Sequence, residues 1–322
     1  MKLDAHIKEI CSRIISHSQI LKISQWRRMS VIGIIFCGLI FSEKTLAADV
    51  YAVNSSVAAL KSKYTELNNQ LQNNQFKRSL FLNSAESSHN LKGEIYAVVD
   101  YSFTTFNTAF NNPAHWCDAL ILNINIKYCH MENSKVGNVL MLNIGKKYPQ
   151  SLADTYPIKF KYSEMVSTSN YFATELDSKE GPLGTYDYRI LIEAMPLKDG
   201  YTFLHFTYAY SFGLAGRLAM QTYLATIGRN KIGFTITGKQ SDGQLTYIKG
   251  IRGVVERNTM RYYLAIDAYL EALTAPKDTQ FEKSLQYWYS NSEQYASQLH
   301  EVELDEYLDM KRKEYQRQQT PQ

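Results

Sequence analysis

Histidine, cysteine and tyrosine are the residues of this sequence whose chemistry could support binding or catalysis. Beyond position 48 there are five histidines, and His205 stands out because it lies among aromatic residues in a predicted strand. Its imidazole could act as a general base or hydrogen-bond a ligand. It could equally be a structural residue with partners of its own, and the sequence leaves both interpretations open.

Motifs that would name a reaction are absent. The sequence has no G-x-S-x-G nucleophile motif, no P-loop and no G-x-G-x-x-G phosphate-binding motif. No two histidines have the spacing of a zinc-protease helix. We therefore expect no metal site and no cofactor. Cys117 and Cys129 are the two cysteines beyond position 48, and they predict either one disulfide or two buried free thiols.

Aromatic residues are unusually frequent, with 24 tyrosines in the chain. Two predicted strands, 185–196 and 201–212, alternate aromatic and aliphatic residues on one face. Such a face could line a pocket, because each ring supplies apolar surface and each phenol a hydrogen bond. Plain core packing is the alternative. The candidate ligand-binding residues are Tyr186, Tyr188, Phe206, Tyr208, Tyr210, Tyr263, Ile266 and His205.

Charged residues near position 256 have two interpretations. Glu256 suits the start of a predicted helix, so capping and ion pairing explain it. Alternatively, Arg252 or Arg257 meets an anionic group of a ligand.

The first 48 residues predict a cleavable secretory signal. Residues 31–41 are an apolar run of 11 residues, whereas a bilayer span needs about 20. Arg27 and Arg28 precede this run, and cleavage is expected after Ala47 or Ala48. Met29 is an alternative start. We expect an exported, periplasmic protein, with an uncleaved anchor or a buried helix as the alternative.

Removal of this leader changes the charge balance. Seven of the 35 basic and three of the 31 acidic residues lie in the leader, so the remainder has 28 of each. No overall positive charge is left to attract nucleic acid, and we expect no nucleic-acid partner.

The hydrophobic periodicity divides the remaining chain into three parts. An amphipathic helix is predicted over 49–78, one domain over 79–275, and a helix with a fraying tail over 276–322. Within the domain, short helices are predicted over 103–110 and 113–120, a further helix over 213–227 and a long helix over 254–273. The predicted strands cover 79–87, 94–101, 121–131, 138–147, 156–167, 170–177, 185–196, 201–212, 232–237 and 244–251.

This order of elements resembles the helix-grip fold of the START-related lipid-transfer and polyketide-cyclase superfamily. The resemblance covers about 92–273. It depends on the strand 93–101, the helix leading to Asn-Pro-Ala-His-Trp at 112–116, and the closing helix 254–273. It implies an α+β fold in which a curved antiparallel sheet grips a long C-terminal helix, with extra helices at both ends. It further implies a cavity for a lipid-like or aromatic molecule.

Three functional hypotheses follow. The first is an exported carrier or binding protein for an apolar ligand, with transient membrane contact. The second is an enzyme of cyclase or hydrolase type on the same fold, with His205 and a tyrosine as acid and base. The third is an envelope protein that docks a protein partner through the helices 49–78 and 279–316.

Overall fold

The computed structural model describes residues 43–135 and 137–320, with side chains from residue 54 onward. The predicted secretory signal falls almost entirely on residues 1–42, which lie outside this part, so export stays a prediction. Residues 49–322 form one compact unit.

Eight antiparallel strands form a single sheet in the order β1-β2-β8-β7-β6-β5-β4-β3. Consecutive strands from β3 to β8 are neighbours because short turns join them, which requires antiparallel pairing. The strands are β1 (Leu80–Glu86), β2 (Asn90–Val99), β3 (Ile126–Ser134), β4 (Gly137–Ile144), β5 (Tyr156–Ser167), β6 (Phe172–Glu180), β7 (Thr185–Pro196) and β8 (Thr202–Phe212).

Breaks in strand register accompany the curvature of the sheet. The pairing shifts between Ile126 and Tyr128, between Glu164 and Val166, and between Tyr186 and Arg189. Each shift inserts extra backbone into one strand, which bends it. The last predicted strand pair forms a separate ribbon, β9 (Ile236–Lys239) with β10 (Leu245–Tyr247), outside the main sheet.

The long helix α6 (Gly250–Ala272) lies across one face of the sheet. The other helices are α1 (Glu43–Glu66), α2 (Asn68–Gln72), α3 (Phe103–Phe110), α4 (Pro113–Leu120), α5 (Leu214–Ala225), α7 (Gln280–Glu293), α8 (Ala296–Leu299) and α9 (Leu304–Gln319). We call the face that carries Ile95, Phe206 and Tyr208 the inner face. Helix α6 contacts β1, β2 and β8 there. A Cβ atom at Gly93 would lie 2.0 Å from Oγ1 of Thr259, so only glycine allows this close approach.

The opposite, outer face is covered by α1 and α2. Leu60, Leu67 and Leu71 pack against outer-face residues such as Phe203, whose ring centroid lies 5.0 Å from that of Tyr64. Strand β8 is therefore buried on both faces. The helix expected over 49–78 ends at Gln72, after a break at Leu67.

The C-terminal segment is an integral part of the domain. The single helix expected over 279–316 is broken into α7, α8 and α9. Lys311 and Glu314 on α9 are buried, and α9 continues to Gln319. The fraying expected for the tail after residue 316 stays a prediction. Both Lys311 and Lys127 of β3 contact the Glu314 carboxylate, at 2.6 and 3.0 Å. We call these three residues the tail cluster.

The disulfide prediction is confirmed. Cys117 on α4 is bonded to Cys129 on β3, with Cα atoms 5.2 Å apart. Helix α4 begins at Pro113, and the Asn112 side chain accepts a hydrogen bond from the Ala114 amide. The bridge fixes this helix to the edge strand of the sheet.

Candidate functional site

A cavity of about 320 Å³ lies between the inner face, α6 and α5. This volume is at the lower end of the range for small-molecule sites, roughly 300–1,000 Å³. Its lining combines strand, helix and loop residues: Asn123, Asn125, Ile144, Lys147, Pro182, Leu183, Thr185, Tyr188, Tyr208, Tyr210, Gly216, Ala219, Met220, Tyr223, Val254, Arg257, Asn258, Arg261 and Tyr262.

Helix α6 presents one continuous face to the cavity. Val254, Arg257, Asn258, Arg261 and Tyr262 all line it, and their spacing of three, four, seven and eight residues places them on one side of the helix. Two of the five residues on this face are arginines.

Helix α5 covers the cavity from the side of the loop 182–184. The Gly213 amide donates a hydrogen bond to the Gly184 carbonyl oxygen at 3.3 Å. A Cβ atom at Gly216 would lie 3.0 Å from the same oxygen, so the helix and the loop are in close contact. Gly184 has a φ of 76°, which favours glycine. Met220 and Tyr223 of α5 face the cavity.

Four tyrosines pack against one another along the cavity wall. The rings of Tyr188 and Tyr210 are stacked, with centroids 5.1 Å apart, and Tyr208 lies 5.1 Å from Tyr262. The Tyr188 hydroxyl is hydrogen-bonded to Oγ1 of Thr185 at 2.8 Å. Burial raises the pKa of Tyr188 to about 12 and that of Tyr208 well above its ordinary value. All four phenols are therefore protonated at neutral pH.

A group of cations borders the same cavity around one carboxylate. Glu301 is paired with Arg261 at 2.6 Å, Lys147 at 2.5 Å and Lys231 at 3.1 Å. Arg257 is also buried, and its Nη1 donates to the Ile232 carbonyl oxygen at 2.9 Å. We call Glu301, Lys147, Arg257 and Arg261 the cavity cluster, and its three cations line the cavity. Lys231 does not line the cavity and is not part of this cluster.

The cavity cluster carries more positive than negative charge, and this excess shifts the pKa values of its members. Burial, together with the nearby Arg261 charge, lowers the pKa of Lys147 to about 7. Burial and Arg257 lower the pKa of Arg261 from its usual value. Burial by itself would raise the pKa of Glu301, but Arg261 and Lys147 hold it below its ordinary value.

The structure brings three of the predicted binding residues to the cavity. Tyr188, Tyr208 and Tyr210 line it. Phe206, Tyr263 and Ile266 are buried in the core without reaching it. On α6, Tyr262 lines the cavity, whereas its neighbour Tyr263, the residue predicted from the sequence, does not.

Tyr186 does not share a face with Tyr188. The register shift between Tyr186 and Arg189, with a positive φ at Asp187, breaks the alternation, and Tyr186 is exposed. The alternation assumed from the sequence is interrupted by this bulge.

His205 lies on the outer face, on the opposite side of the sheet from the cavity. Its Nδ1 contacts Glu193 at 2.7 Å, its Nε2 contacts Glu94 at 3.3 Å, and its ring is stacked on Tyr96. Burial by itself would lower the pKa of His205, but the hydrogen bonds to Glu193 and Glu94 raise it above its ordinary value. The expected acid–base pair of His205 with a cavity tyrosine is therefore wrong.

The sequence interpretation missed Arg261 and Lys147. Two arginines four residues apart within a long, otherwise buried helix were the available signal for Arg257 and Arg261. Lys147 lies in a loop 154 residues from its partner Glu301, and no local pattern links them. Arg252, the other arginine considered, instead hydrogen-bonds Ser84.

In the part of the chain that the structure describes, no three His, Cys, Asp or Glu side chains are grouped as metal ligands would be. This part of the chain also includes no helix with the length and apolar character of a membrane span.

Solved structures give a comparison of fold. Human StAR-related lipid transfer protein 5 is 9% identical over 69% of this chain and 99% of its own, with a TM-score of 0.33. Norcoclaurine synthase from Thalictrum flavum, as a point mutant, is 14% identical over 42% of this chain and 86% of its own, with a TM-score of 0.32. No protein-family model matches the sequence, and no curated protein is significantly similar.

The strand order and the helix across the inner face decide the fold. The chain has the helix-grip fold. A fold by itself does not fix function, because one fold can host binding proteins and enzymes alike.

Proposed function

We propose that this protein binds a predominantly apolar or aromatic small molecule in the cavity beneath α5. The observation that carries this proposal is the cavity of about 320 Å³ with its wall of packed tyrosines. Aromatic rings provide apolar surface, and their protonated hydroxyls can donate to a polar group of a ligand.

Binding of a neutral apolar fluorophore, N-phenyl-1-naphthylamine, tests this proposal. Its emission should rise on addition to the purified protein, because an apolar environment removes the quenching effect of water. Ala219 lines the cavity on α5, so Ala219→Trp should fill the space and abolish this rise. Ala225 is exposed on the same helix and does not line the cavity, so Ala225→Trp should leave the rise unchanged.

Two results would contradict binding in this cavity. One is the absence of an emission change with the wild-type protein. The other is an equal effect of Ala219→Trp and Ala225→Trp, which would place the fluorophore elsewhere. Circular dichroism of both variants checks that they are folded.

We also propose that the protein is exported. The apolar run 31–41 with Arg27 and Arg28 before it supports export, and a disulfide is typical of proteins in oxidising compartments. Mass spectrometry of the protein from an envelope fraction should give an N-terminus after Ala47 or Ala48 and a bonded Cys117–Cys129. An N-terminus at Met1 or Met29 with both thiols reduced would contradict it. Transient membrane contact stays a prediction.

A further inference from the structure

Positive charge exceeds negative charge where the cavity cluster borders the cavity. Glu301 is the carboxylate that faces Lys147, Arg261 and Lys231, while Arg257 has a backbone carbonyl as its partner. Burying charge without a counter-charge is costly, because the protein interior solvates ions poorly. A negative charge entering the cavity would reduce this cost.

Arg261 has one guanidinium donor without an acceptor among the residues that the structure describes. Its Nη2 contacts Glu301, whereas its Nε is buried without a hydrogen-bond partner there; the side chain is 3% exposed. Buried donors are almost always paired. Its Nη1 contacts Oδ1 of Asn258 at 3.5 Å. Arginine pairs well with carboxylate and phosphate groups, so the place of Arg261 in the cavity wall suits an acidic ligand.

Other groups beside Arg261 can also contact an anion. Lys147 lines the cavity, with its ammonium group paired to Glu301, and Asn258 lies between the two arginines on the same helix face. Most of the remaining wall is aromatic or aliphatic, and its polar residues are Asn123, Asn125 and Thr185. The cavity thus combines a cationic region with an apolar one.

We propose that the ligand is an acidic amphiphile, an apolar or aromatic body with one carboxylate or phosphate group held by Arg261, Lys147 and Arg257. This inference rests on the proposed function, because it specifies the ligand class of the same cavity. The acidic group neutralises the charge excess by pairing with these cations, while the body packs against the tyrosines.

Matched probes of equal chain length test the acidic group with the full wild-type protein. Isothermal titration calorimetry should show that decanoate binds about tenfold or more tightly than decan-1-ol, because only decanoate carries a negative charge that pairs with the cations of the cavity. Acetate, the acidic group alone, should bind far more weakly than decanoate. Decyl phosphate, compared with decanoate, shows whether a phosphate or a carboxylate is preferred.

Two variants assign the preference to the cavity cluster. Arg261→Gln should reduce the preference for decanoate over decan-1-ol to about twofold or less, since it removes the charge and the free donor. Lys231→Gln is the matched control, because Lys231 contacts the same Glu301 without lining the cavity. It should keep most of the preference.

The outcomes separate this inference from the proposed function. Equal binding of decanoate and decan-1-ol overturns the acidic amphiphile while leaving an apolar ligand intact. Acetate binding as tightly as decanoate overturns it as well, since the site would then be a small-anion site. Failure of the neutral fluorophore and of every decyl probe to bind overturns the proposed function itself. Loss of preference in Lys231→Gln equal to that in Arg261→Gln would remove the assignment to Arg261.

Discussion

The tail cluster and the cavity cluster each place more than one cation around a single glutamate. They differ in whether every donor of these cations has an acceptor. In the tail cluster, Lys311 Nζ donates to Glu314 and to the carbonyl oxygens of Asn123 and Ile126, which satisfies its three donors. In the cavity cluster, no described residue accepts a hydrogen bond from Arg261 Nε.

The difference separates a structural cluster from a binding one. In the tail cluster both lysines are paired with Glu314, which fixes α9 to the sheet. A cluster with a free donor beside a cavity has the capacity for a further partner. Excess buried charge alone therefore does not identify a binding site. The unpaired Arg261 Nε and the cavity beside the cluster distinguish the cavity cluster from the tail cluster.

The largest expected effect is on the tail cluster. Glu314→Gln leaves Lys127 and Lys311 buried without a counter-charge, and should lower the free energy of unfolding by about 3–5 kcal/mol. Urea denaturation measures this. Glu301→Gln is the matched change in the cavity cluster and should cost about 1–3 kcal/mol, because anions and water can reach the cavity. Equal costs for the two variants would erase the distinction between the clusters.

Replacement of His205 should have a smaller effect on stability, and it tests the placement of this residue on the outer face. Because its folded pKa is raised, the stability it contributes is fully present below its unfolded pKa and is lost as the pH rises through the folded value. His205→Gln should cost about 2 kcal/mol at pH 5.5 and less at pH 8.5, by denaturation. Binding of N-phenyl-1-naphthylamine should not change, and a loss of binding in a folded His205→Gln protein would place His205 at the ligand.

Replacement of Lys147 should cause the smallest change in stability. Its folded pKa is about 7, below the ordinary 10.5, so between these values the unfolded chain binds more protons and stability rises with pH. Glu301, Arg261 and Lys231 are the charged groups that face it. Lys147→Met should reduce the gain in stability from pH 7 to pH 8 by about 1 kcal/mol. An unchanged gain would mean that Lys147 keeps an ordinary pKa.

Much of the fold follows from local sequence signals. Strands β5 and β7 have the predicted bounds, because alternation and turn residues define them. Helices α3 and α4 also agree, since Ser102 and Asn112 cap their first turns. These signals act over a few residues and need no tertiary information.

The candidate site was less predictable because it depends on distant residues. The bulge that exposes Tyr186 has no clear signature in an otherwise regular strand. Helices α1 and α2 bury the outer face, so alternation along β8 could not tell which side held the cavity, and His205 was misplaced. Only tertiary packing brings Lys147, Arg261 and Glu301 together.

Proton uptake on ligand binding tests the central claim most directly. At pH 8 Lys147 is mostly neutral, and a carboxylate beside it should raise its pKa, so decanoate binding should take up about half a proton or more. Calorimetry in two buffers of different ionisation enthalpy measures this uptake, and Lys147→Met should remove it. Binding of decanoate with a heat that does not depend on the buffer would contradict the claim that the cavity cluster receives the acidic group.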